Sequence, residues 1–507
     1  MKYFNKIISL LMVTWIFTFL GCDENYLEVT NPNELTPDQF WKTEADVDQA
    51  ITSLYACIAM GEWSEQWDFN EHYFMVQEAR SDLTRWQTWQ PQQAISEYTY
   101  TPSQYMERNH WKWLYRTIFT ANQIIENVEG MGDLDASKKK VYIAEAKFAR
   151  AHSHFLLLKN FGDIILVTTL AKTPDDFYKK QSPAADVWAQ IEKDFSDAKA
   201  DLPTSWEDKW LGRVTKGTAT AYLGKAYLFQ GKWTEAETEF KLVTGMGYEL
   251  ESDYFSLFSG LNEHNKESIW EINFSSIEEG GRVESVNIPN LASQYQSLWV
   301  TEWGKQLFLT DTAADGTFSN RFYGSVVYDD PGCDVWYWQG MTYREFYTDK
   351  GVPDEDRMFW KKWAVFREDW PHKSKGDVNF YIIRYADVLL MLAEALNEQG
   401  KTPEAIGYVN QVRGRAGSML LGTPDQAQLR EHIRQVERPL EFVLETTRWD
   451  DLVRWYGFGK DGGLSAILTA HNRYSAENFI DNFSEIWPIP QNEIDANPEI
   501  VQNPGYN

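Results

Sequence analysis

Cysteine is scarce in this sequence, with three residues in a chain of 507. Cys57 lies in an apolar stretch that reads as a helix, and Cys333 lies in a Pro-Gly loop. Neither has the CxxC or Cys/His spacing that is typical of a zinc site. Nothing in the sequence pairs the two thiols, so a fold built on disulfides is not indicated, and whether they pair stays open.

Positively charged residues are also few compared with negatively charged ones. The chain has 48 Lys and Arg against 75 Asp and Glu, which gives a formal net charge of −27. A chain this acidic repels a phosphate backbone, because nucleic-acid binding depends on neutralising phosphates with cationic side chains. Nucleic acid is therefore not expected as a partner.

Long hydrophobic runs are almost absent as well. The one run of note spans residues 7–20, 14 mostly apolar residues that follow Lys2 and Lys6. A run of this length is too short to span a bilayer comfortably, but it is typical of a signal peptide. No other segment approaches transmembrane length.

A processing motif ends this run. A glycine precedes Cys22 directly after the apolar residues, which resembles a bacterial lipobox. We therefore expect residues 1–21 to be a signal peptide, Cys22 to carry the lipid, and residues 22–43 to form a tether. The alternative is a signal peptide that a cysteine happens to follow. Asp23 and Glu24 resemble the acidic surface-export signal of some bacterial lipoproteins.

Catalytic motifs are missing too, since the sequence has no HExxH, no GxSxG and no P-loop. A GxGxxG pattern at Gly457–Gly462 follows a predicted helix and not a strand, so we expect it to terminate that helix. Asp329-Asp330 and Asp354-Glu355-Asp356 could flank a glycosidic bond as acid and base. Such pairs are expected by chance among 75 carboxylates. We predict no enzymatic activity and no cofactor.

A metal site is not predicted either. His152 and His154 stand two apart on a predicted helix, so they lie on different faces and are poor joint ligands. We expect them at the surface or in a helix seam. The Asp311–Gly316 segment could hold calcium, but it lacks the regular EF-hand spacing, and bound calcium stays an open question.

What the sequence does contain is a helical hairpin, between Thr215 and Met246. Its pattern L-G-x-x-Y…A-x-x-x-F is typical of the tetratricopeptide repeat. The matching residues are Leu223, Gly224, Tyr227, Ala236 and Phe240. Small residues at Gly224 and Ala236 allow two antiparallel helices to approach closely. We expect Gly231 to end the first helix and Thr234 with Glu237 to cap the second.

The same pattern recurs in the second half of the chain, with turn signals at corresponding places. Its members are Leu392, Ala393, Leu396, Ala405 and Val409. Gly400 is expected to end the first helix, and Pro403 to begin the second. Two matches in register predict a helical-repeat scaffold. Further helices are predicted at residues 44–60, 104–128, 137–160 and 183–202, and loops with short helices at 61–101.

Several further segments resemble the SusD/RagB family of outer-membrane glycan-binding lipoproteins. They run in the family's order through nearly the whole chain after residue 21. They are Trp111 to Asn122, Glu145 to Ala151, Asn160 to Ile164, Ile383 to Ala395, Glu437-Arg438, Glu445 to Trp455 and Trp487 to Tyr506. Pro439 and Thr446 depart from the family's pattern. Pro439 should start or kink a helix, and a glycine is common where Thr446 stands.

The resemblance implies a fold and a role. The fold would be mainly α, a tetratricopeptide-like helical-repeat scaffold with long loop-rich insertions. Residues 44–507 would form a single SusD-like domain, with an N-terminal part at about 44–260 and a C-terminal part at about 261–507. Family members are lipid-anchored on the cell exterior, where they pass oligosaccharides to a SusC-like TonB-dependent outer-membrane transporter.

A sugar site needs flat aromatic rings for the C–H faces of the sugar and polar groups for its hydroxyls. Two aromatic-rich segments outside the repeats offer both, where the family places its ligand-contacting loops. The candidate carbohydrate-binding residues are Asp82, Arg85, Trp86, Trp89, Trp336, Tyr337 and Trp338, with Tyr295 as a weaker candidate. The alternative for each aromatic residue is that it packs its loop onto the scaffold.

Two other classes of function are compatible with the sequence. Helical repeats commonly bind peptides, so the chain could be a protein–protein adaptor at the outer membrane; the signal peptide, the lipobox and the aromatic insertions favour glycan capture instead. A glycoside hydrolase is the weaker alternative. The sequence does not identify the glycan, nor does it exclude another nutrient such as a peptide.

Overall fold

Helices dominate the described part of the chain. The structure is a computed structural model that describes residues 40–59, 74, 76–86, 90–274, 298–333, 358–363 and 378–506. The chain divides into two compact units, Met1–Asp46 and Val47–Asn507. Residues 40–46 are the described part of the first unit. None of the helices in these described stretches is both long and apolar enough to cross a membrane.

The α-helices in chain order are α1 Glu44–Ile58, α2 Val76–Glu78, α3 Gln90–Ser96, α4 Tyr105–Gly130, α5 Ala136–Phe161, α6 Ala184–Asp201, α7 Lys216–Phe229, α8 Trp233–Thr244, α9 Glu302–Leu309, α10 Asn320–Ser325, α11 Tyr385–Glu398, α12 Thr402–Ala416, α13 Gln426–His432, α14 Arg438–Glu441, α15 Arg448–Tyr456, α16 Leu464–Ala470 and α17 Gln491–Ala496. The strands are β1 Thr84–Trp86, β2 Ser268–Ile272, β3 Leu298–Val300, β4 Val326–Val327, β5 Phe359–Trp360 and β6 Phe380–Arg384.

The long helices form one continuous row. Each helix from α4 to α8 packs on the next along the chain, α8 packs on α11, and α11 packs on α12. The second hairpin therefore continues the row begun by the first, although a long stretch of sequence separates them. The predicted tetratricopeptide-like scaffold is confirmed.

Local sequence explains where these helices begin and end. The Asp135 carboxylate accepts hydrogen bonds from the backbone N–H groups of Ser137 and Lys138 and so caps α5. That helix ends at Gly162, whose φ of +71° suits glycine. Helix α7 begins at a capping box between Thr215 and Thr218.

The seam of the first hairpin is as close as its small residues predict. A Cβ added at Gly224 would lie 2.7 Å from a ring carbon of Phe240, so only glycine fits there without movement. Gly231 and Gly400 have φ of +70° and +75°, as their predicted helix-ending roles require. Pro403 stands in the first turn of α12, also as predicted.

The predicted capping box of Thr234 and Glu237 is wrong. Helix α8 begins two residues earlier than predicted, with Lys232 and not Thr234 at the N-cap, so Thr234 is already inside its first turn. The Glu237 carboxylate is bound instead by Lys241 at 2.9 Å and Lys401 at 2.5 Å. A long-range ion pair between the two hairpins therefore takes the place of the local cap.

Two buried histidines pack within the helical row. His152 lies among the rings of Phe148, Tyr222 and Trp270, with ring centroids 5.1–6.2 Å away. His154 accepts a hydrogen bond from the backbone N–H of Val167. Burial lowers the pKa of both rings to about 3, so they are neutral seam residues and not surface residues.

Next to the row lies a buried group of ionic residues, which we call the central ion cluster and define as Glu267, Lys362, Arg384, Arg415, Glu441 and Glu445. Arg384 donates to Glu267 at 2.6 Å, to Glu441 at 2.7 Å and to Glu445 at 2.7 Å. Each member is no more than 4 % exposed at its side chain. The cluster joins the start of β2, the turn after β5, the end of β6 and helix α12 to the end of α14 and the turn that follows it.

Many charged residues that carry the family resemblance form internal ion pairs. Arg438 donates to Asp387 on α11 at 2.7 Å and to Asp451 on α15 at 2.6 Å. Arg454 donates to Glu394 at 2.5 Å. These pairs hold the C-terminal helices against α11, so these charges have structural partners.

The two departures from the family's pattern fall where the backbone is irregular. A π-helical turn, Ile433–Glu437, precedes α14, and Pro439 occupies the first turn of that helix, so the prediction that it starts or kinks a helix is confirmed. Thr446 has a left-handed φ of +60°. Its backbone N–H donates to the buried Glu78 carboxylate at 2.6 Å.

Candidate functional site

A short antiparallel sheet links two of the segments predicted to bind a ligand. Strand β1 pairs with β3, with Trp86 opposite Leu298 and Arg85 opposite Trp299. Strand β1 ends three residues before Trp89, and β3 begins three residues after Tyr295. The described ends of these two segments therefore lie side by side.

The third segment begins in the same region. Strand β3 lies against β5, and β5 pairs with β4. The turn Pro331–Cys333 follows β4 and is held to it, since the Cys333 thiol donates to the carbonyl of Val326 at 3.9 Å. Asp330 belongs to one of the acid pairs noted in the sequence. Its carboxylate accepts a hydrogen bond from the backbone N–H of Gly332 and stabilises this turn.

Of the predicted site residues, the structure describes Asp82, Arg85 and Trp86. Those that lie outside the described residues are Cys22, Trp89, Tyr295, Trp336, Tyr337 and Trp338. Their roles stay predictions. Cys57 and Cys333 are both free and buried.

Asp82 is fully buried and its carboxylate is already bound. Arg448 donates to it through Nε at 2.8 Å and Nη2 at 2.7 Å, and His471 Nδ1 lies 2.7 Å from Oδ2. Burial opposes its ionisation, but the attraction of Arg448 and the hydrogen bonds outweigh burial and hold the pKa of Asp82 well below its usual range. This geometry favours an internal structural role, and direct contact with a sugar stays a prediction.

Trp86 and Arg85 point to opposite faces of β1. Trp86 is 2 % exposed and packs inward. Arg85 is half-buried, and its guanidinium lies 3.9 Å from the centroid of the Tyr474 ring, which is 36 % exposed. In the described part of the chain no group bonds to the Arg85 Nε. The structure thus places a cation and an exposed aromatic ring together, where only Arg85 was predicted.

A second stacked pair includes a residue of the same C-terminal segment, three positions before Tyr474. The His471 ring, just after α16, is parallel to the Trp303 ring of α9, with centroids 3.8 Å apart and planes 9° apart. Trp303 is half-buried, and the guanidinium of Arg448 lies 5.2 Å from its centroid. We call Arg85, Trp303, His471 and Tyr474 together the candidate surface.

The C-terminal part of the chain fixes this surface. The buried Arg473 guanidinium donates to the carbonyls of Ser81 at 2.6 Å and Ala79 at 2.8 Å, and to the hydroxyl of Ser96 at 3.0 Å. Thr301 donates its hydroxyl to the carbonyl of Asp82. Because these bonds hold the 79–86 segment on several sides, its side chains are positioned before any ligand arrives.

Reasoning from sequence missed Trp303, His471 and Tyr474. Trp303 could have been found, because it stands in an aromatic run that begins at Tyr295 and Trp299. His471 and Tyr474 carried no local signal. His471 bonds with Asp82, 389 residues away, and the Tyr474 hydroxyl donates to Glu97, 377 residues away.

The surface has the chemistry of a binding site. Aromatic rings at the surface can stack on apolar ligand faces, and Arg and His can hydrogen-bond to polar groups. Within the described ranges there is no group of three or more His, Cys, Asp or Glu that could hold a metal ion. Asp311, considered above for calcium, is paired with Arg321 at 2.6 Å, and Gly457 follows the end of α15 as a helix cap.

Comparison with known proteins gives consistent matches over most of the chain. A model of the SusD family matches residues 266–506, and a model described as starch-binding associating with outer membrane matches residues 25–228. A SusD-like protein of Formosa agariphila is 26% identical, over 99% of this chain and 100% of that protein. The starch-binding protein SusD of Bacteroides thetaiotaomicron is 23% identical, over 85% of each chain.

Solved structures agree with these matches. A SusD superfamily protein from Bacteroides vulgatus superposes with a TM-score of 0.81 at 27% identity, and covers 92% of this chain and 100% of its own. A laminarin-binding SusD-like protein superposes with a TM-score of 0.70 at 25% identity, with the same coverage.

Proposed function

The chain belongs to the SusD family, and we propose from this premise that it captures oligosaccharides at the candidate surface and does not cleave them. It is then an outer-membrane lipoprotein, anchored through Cys22 on the cell exterior. It delivers its ligand to a SusC-like TonB-dependent transporter. Related proteins named for starch and laminarin binding support a glucan as the first ligand to test.

The observation that carries this proposal is the convergence of the aromatic segments. Strand pairing sets the described ends of the segments that hold Trp89, Tyr295 and Trp336 beside one another. Arg85 of the candidate surface stands on the first of these segments, where its guanidinium lies against the Tyr474 ring. We expect the rings of these segments to converge as their described ends do, which would suit the several sugar units of an oligosaccharide.

The expected affinity is weak to moderate. Stacking on a shallow surface buries little area, and many sugar hydroxyls keep their water. Binding should depend little on salt, because a neutral sugar releases no counterions. These properties distinguish glycan capture from binding of a polyanion.

The direct experiment is affinity electrophoresis and calorimetry of residues 23–507 with laminarin and soluble starch. Changing Trp336 and Trp338 together to Ala should abolish binding, and Arg85→Ala should weaken it. Phe177→Ala is the matched control, because Phe177 is an aromatic residue 71 % exposed on a different segment. Equal binding by wild type and all variants would move the site elsewhere, and shortening of the glycan on long incubation would contradict a purely binding role.

The location has its own test. We expect Cys22→Ala to release the protein from membranes, because a thioether-linked lipid at this position is the proposed anchor. Fractionation of cells that express wild type and variant measures the change. Surface labelling of intact cells should reach the wild-type protein, and a wild type protected from label would contradict an outward-facing site.

A further inference from the structure

His471 is held on two sides by groups from two distant parts of the chain, Asp82 and Trp303. Its Nδ1 lies 2.7 Å from Asp82 Oδ2, and its face lies on Trp303 of α9. Arg448 of α15 binds the same carboxylate and also approaches Trp303 at 5.2 Å. These contacts leave the ring little freedom to turn.

The hydrogen bond to Asp82 determines where the imidazole carries its proton. Arg448 donates two hydrogen bonds to the Asp82 carboxylate, which keeps it ionised and therefore an acceptor only. A close N···O contact with an acceptor requires the hydrogen on Nδ1 of His471. In the neutral ring, Nε2 then has a free lone pair and can only accept.

The Nε2 edge is open. No described residue makes a hydrogen bond with Nε2 of His471. This nitrogen is also not fully buried among the described residues. About 10% of the side chain is accessible to solvent. Nε2 is therefore not sealed from solvent.

We propose that His471 contacts the ligand, with Nε2 accepting a hydrogen bond from a sugar hydroxyl, and that Asp82 is a positioning residue that sets its tautomer. The proposal rests on the proposed glycan binding and names a polar group that selects among its ligands. The ligand class is a neutral oligosaccharide whose hydroxyl approaches the Nε2 edge while its C–H face lies along the aromatic rings. A ligand without a donor at that place binds less tightly.

The first experiment measures the tautomer in the wild-type protein without ligand. Histidine labelled with nitrogen-15 reports by NMR which ring nitrogen carries hydrogen, and the His471→Phe variant assigns the resonance. The expected result at pH 7.5 is hydrogen on Nδ1 only. Hydrogen on Nε2, or on both nitrogens, would overturn the proposal.

The second experiment measures binding of laminarihexaose and maltohexaose. His471→Phe keeps a flat ring against Trp303 but removes the acceptor, and affinity should fall about five- to ten-fold, as for the loss of one net hydrogen bond. Thr469→Ala, an exposed change two residues away on α16, is the control and should bind like wild type. A thermal melt of each variant shows whether it is folded.

The wild-type protein supplies a readout that no folding defect can imitate. Adding the bound hexasaccharide should move the Nε2 resonance of His471 while Nδ1 stays protonated. An Nε2 resonance that does not move, or wild-type affinity in His471→Phe, overturns this contact and leaves the proposed function standing. A wild type that binds neither these sugars nor laminarin and starch overturns both.

Discussion

Thr446 holds a backbone conformation that residues with a Cβ seldom adopt. Its φ of +60° is left-handed, and its N–H is bound by the buried Glu78 carboxylate. Glycine adopts this conformation without the steric cost, which is about 1–2 kcal/mol for other residues. We expect Thr446→Gly to raise the free energy of unfolding by about 1 kcal/mol, measured by denaturant titration.

The neighbouring threonine gives a matched control. Thr447 has an ordinary φ of −95°, so Thr447→Gly gains nothing sterically and lowers stability through the larger entropy of the unfolded chain. If Thr446→Gly destabilises the protein as much as Thr447→Gly, the turn is not strained by its side chain.

Glu107 is a buried carboxyl group that should make stability depend on pH. Burial raises the pKa of Glu107 to about 7, from an ordinary value of about 4.5. Among the described residues, neither carboxyl oxygen has a hydrogen-bond partner. The folded state therefore binds more protons than the unfolded state between these values, and stability falls as pH rises from about 4.5 to 7.

We expect Glu107→Gln to remove this part of the pH dependence, because the amide does not ionise. The variant should gain stability over wild type as pH rises from 5 to 8, by a few kcal/mol in total. Denaturant midpoints at several pH values measure the difference. Glu235→Gln, at an exposed position, is the control, and a constant offset between Glu107→Gln and wild type would contradict the buried charge.

At the scale of elements, two helical glycines make opposite predictions. A Cβ at Gly224 would meet Phe240 at 2.7 Å, whereas a Cβ at Gly407 on α12 would meet nothing within 4 Å. Gly224→Ala should therefore cost about 1–3 kcal/mol by overpacking. Gly407→Ala should stabilise by about 0.5–1 kcal/mol through helix propensity. Equal changes in melting temperature for the two variants would contradict a close-packed seam at Gly224.

Helices of this fold could be predicted closely from sequence, and the site could not. The helix predicted at 137–160 is observed at Ala136–Phe161, because helical periodicity and capping are local properties. The carboxylate of Asp82 looked available for a ligand because its partners, Arg448 and His471, lie hundreds of residues away. Sequence periodicity does not report such contacts, and Tyr474 was missed for the same reason.

At the scale of the whole molecule, the central ion cluster joins the helical row to the C-terminal helices. Arg384 binds three carboxylates there, and none is more than 4 % exposed. Removing one partner from a buried group of charges leaves the others without compensation, at a cost of about 3–5 kcal/mol. We expect Arg384→Met to lower the free energy of unfolding by that amount.

A partly exposed pair provides the comparison. Arg430 donates two hydrogen bonds to Glu398, and its side chain is 33% exposed. Arg430→Met should cost less than about 1 kcal/mol, as is usual for ion pairs near solvent. If both variants lose stability equally in denaturant titrations, burial does not determine the strength of these pairs.

The bonds that Arg473 makes with Ala79, Ser81 and Ser96 also determine which parts of the protein can form first during synthesis. These partners stand 377–394 residues apart in sequence, so the early segment emerges long before the arginine that holds it. The helices of the first hairpin need only neighbours along the chain and can form first, because local contacts close quickly. The candidate surface is completed last. A chain that stops short of residue 471 would keep its proposed export signal and its first hairpin but lack a finished candidate surface.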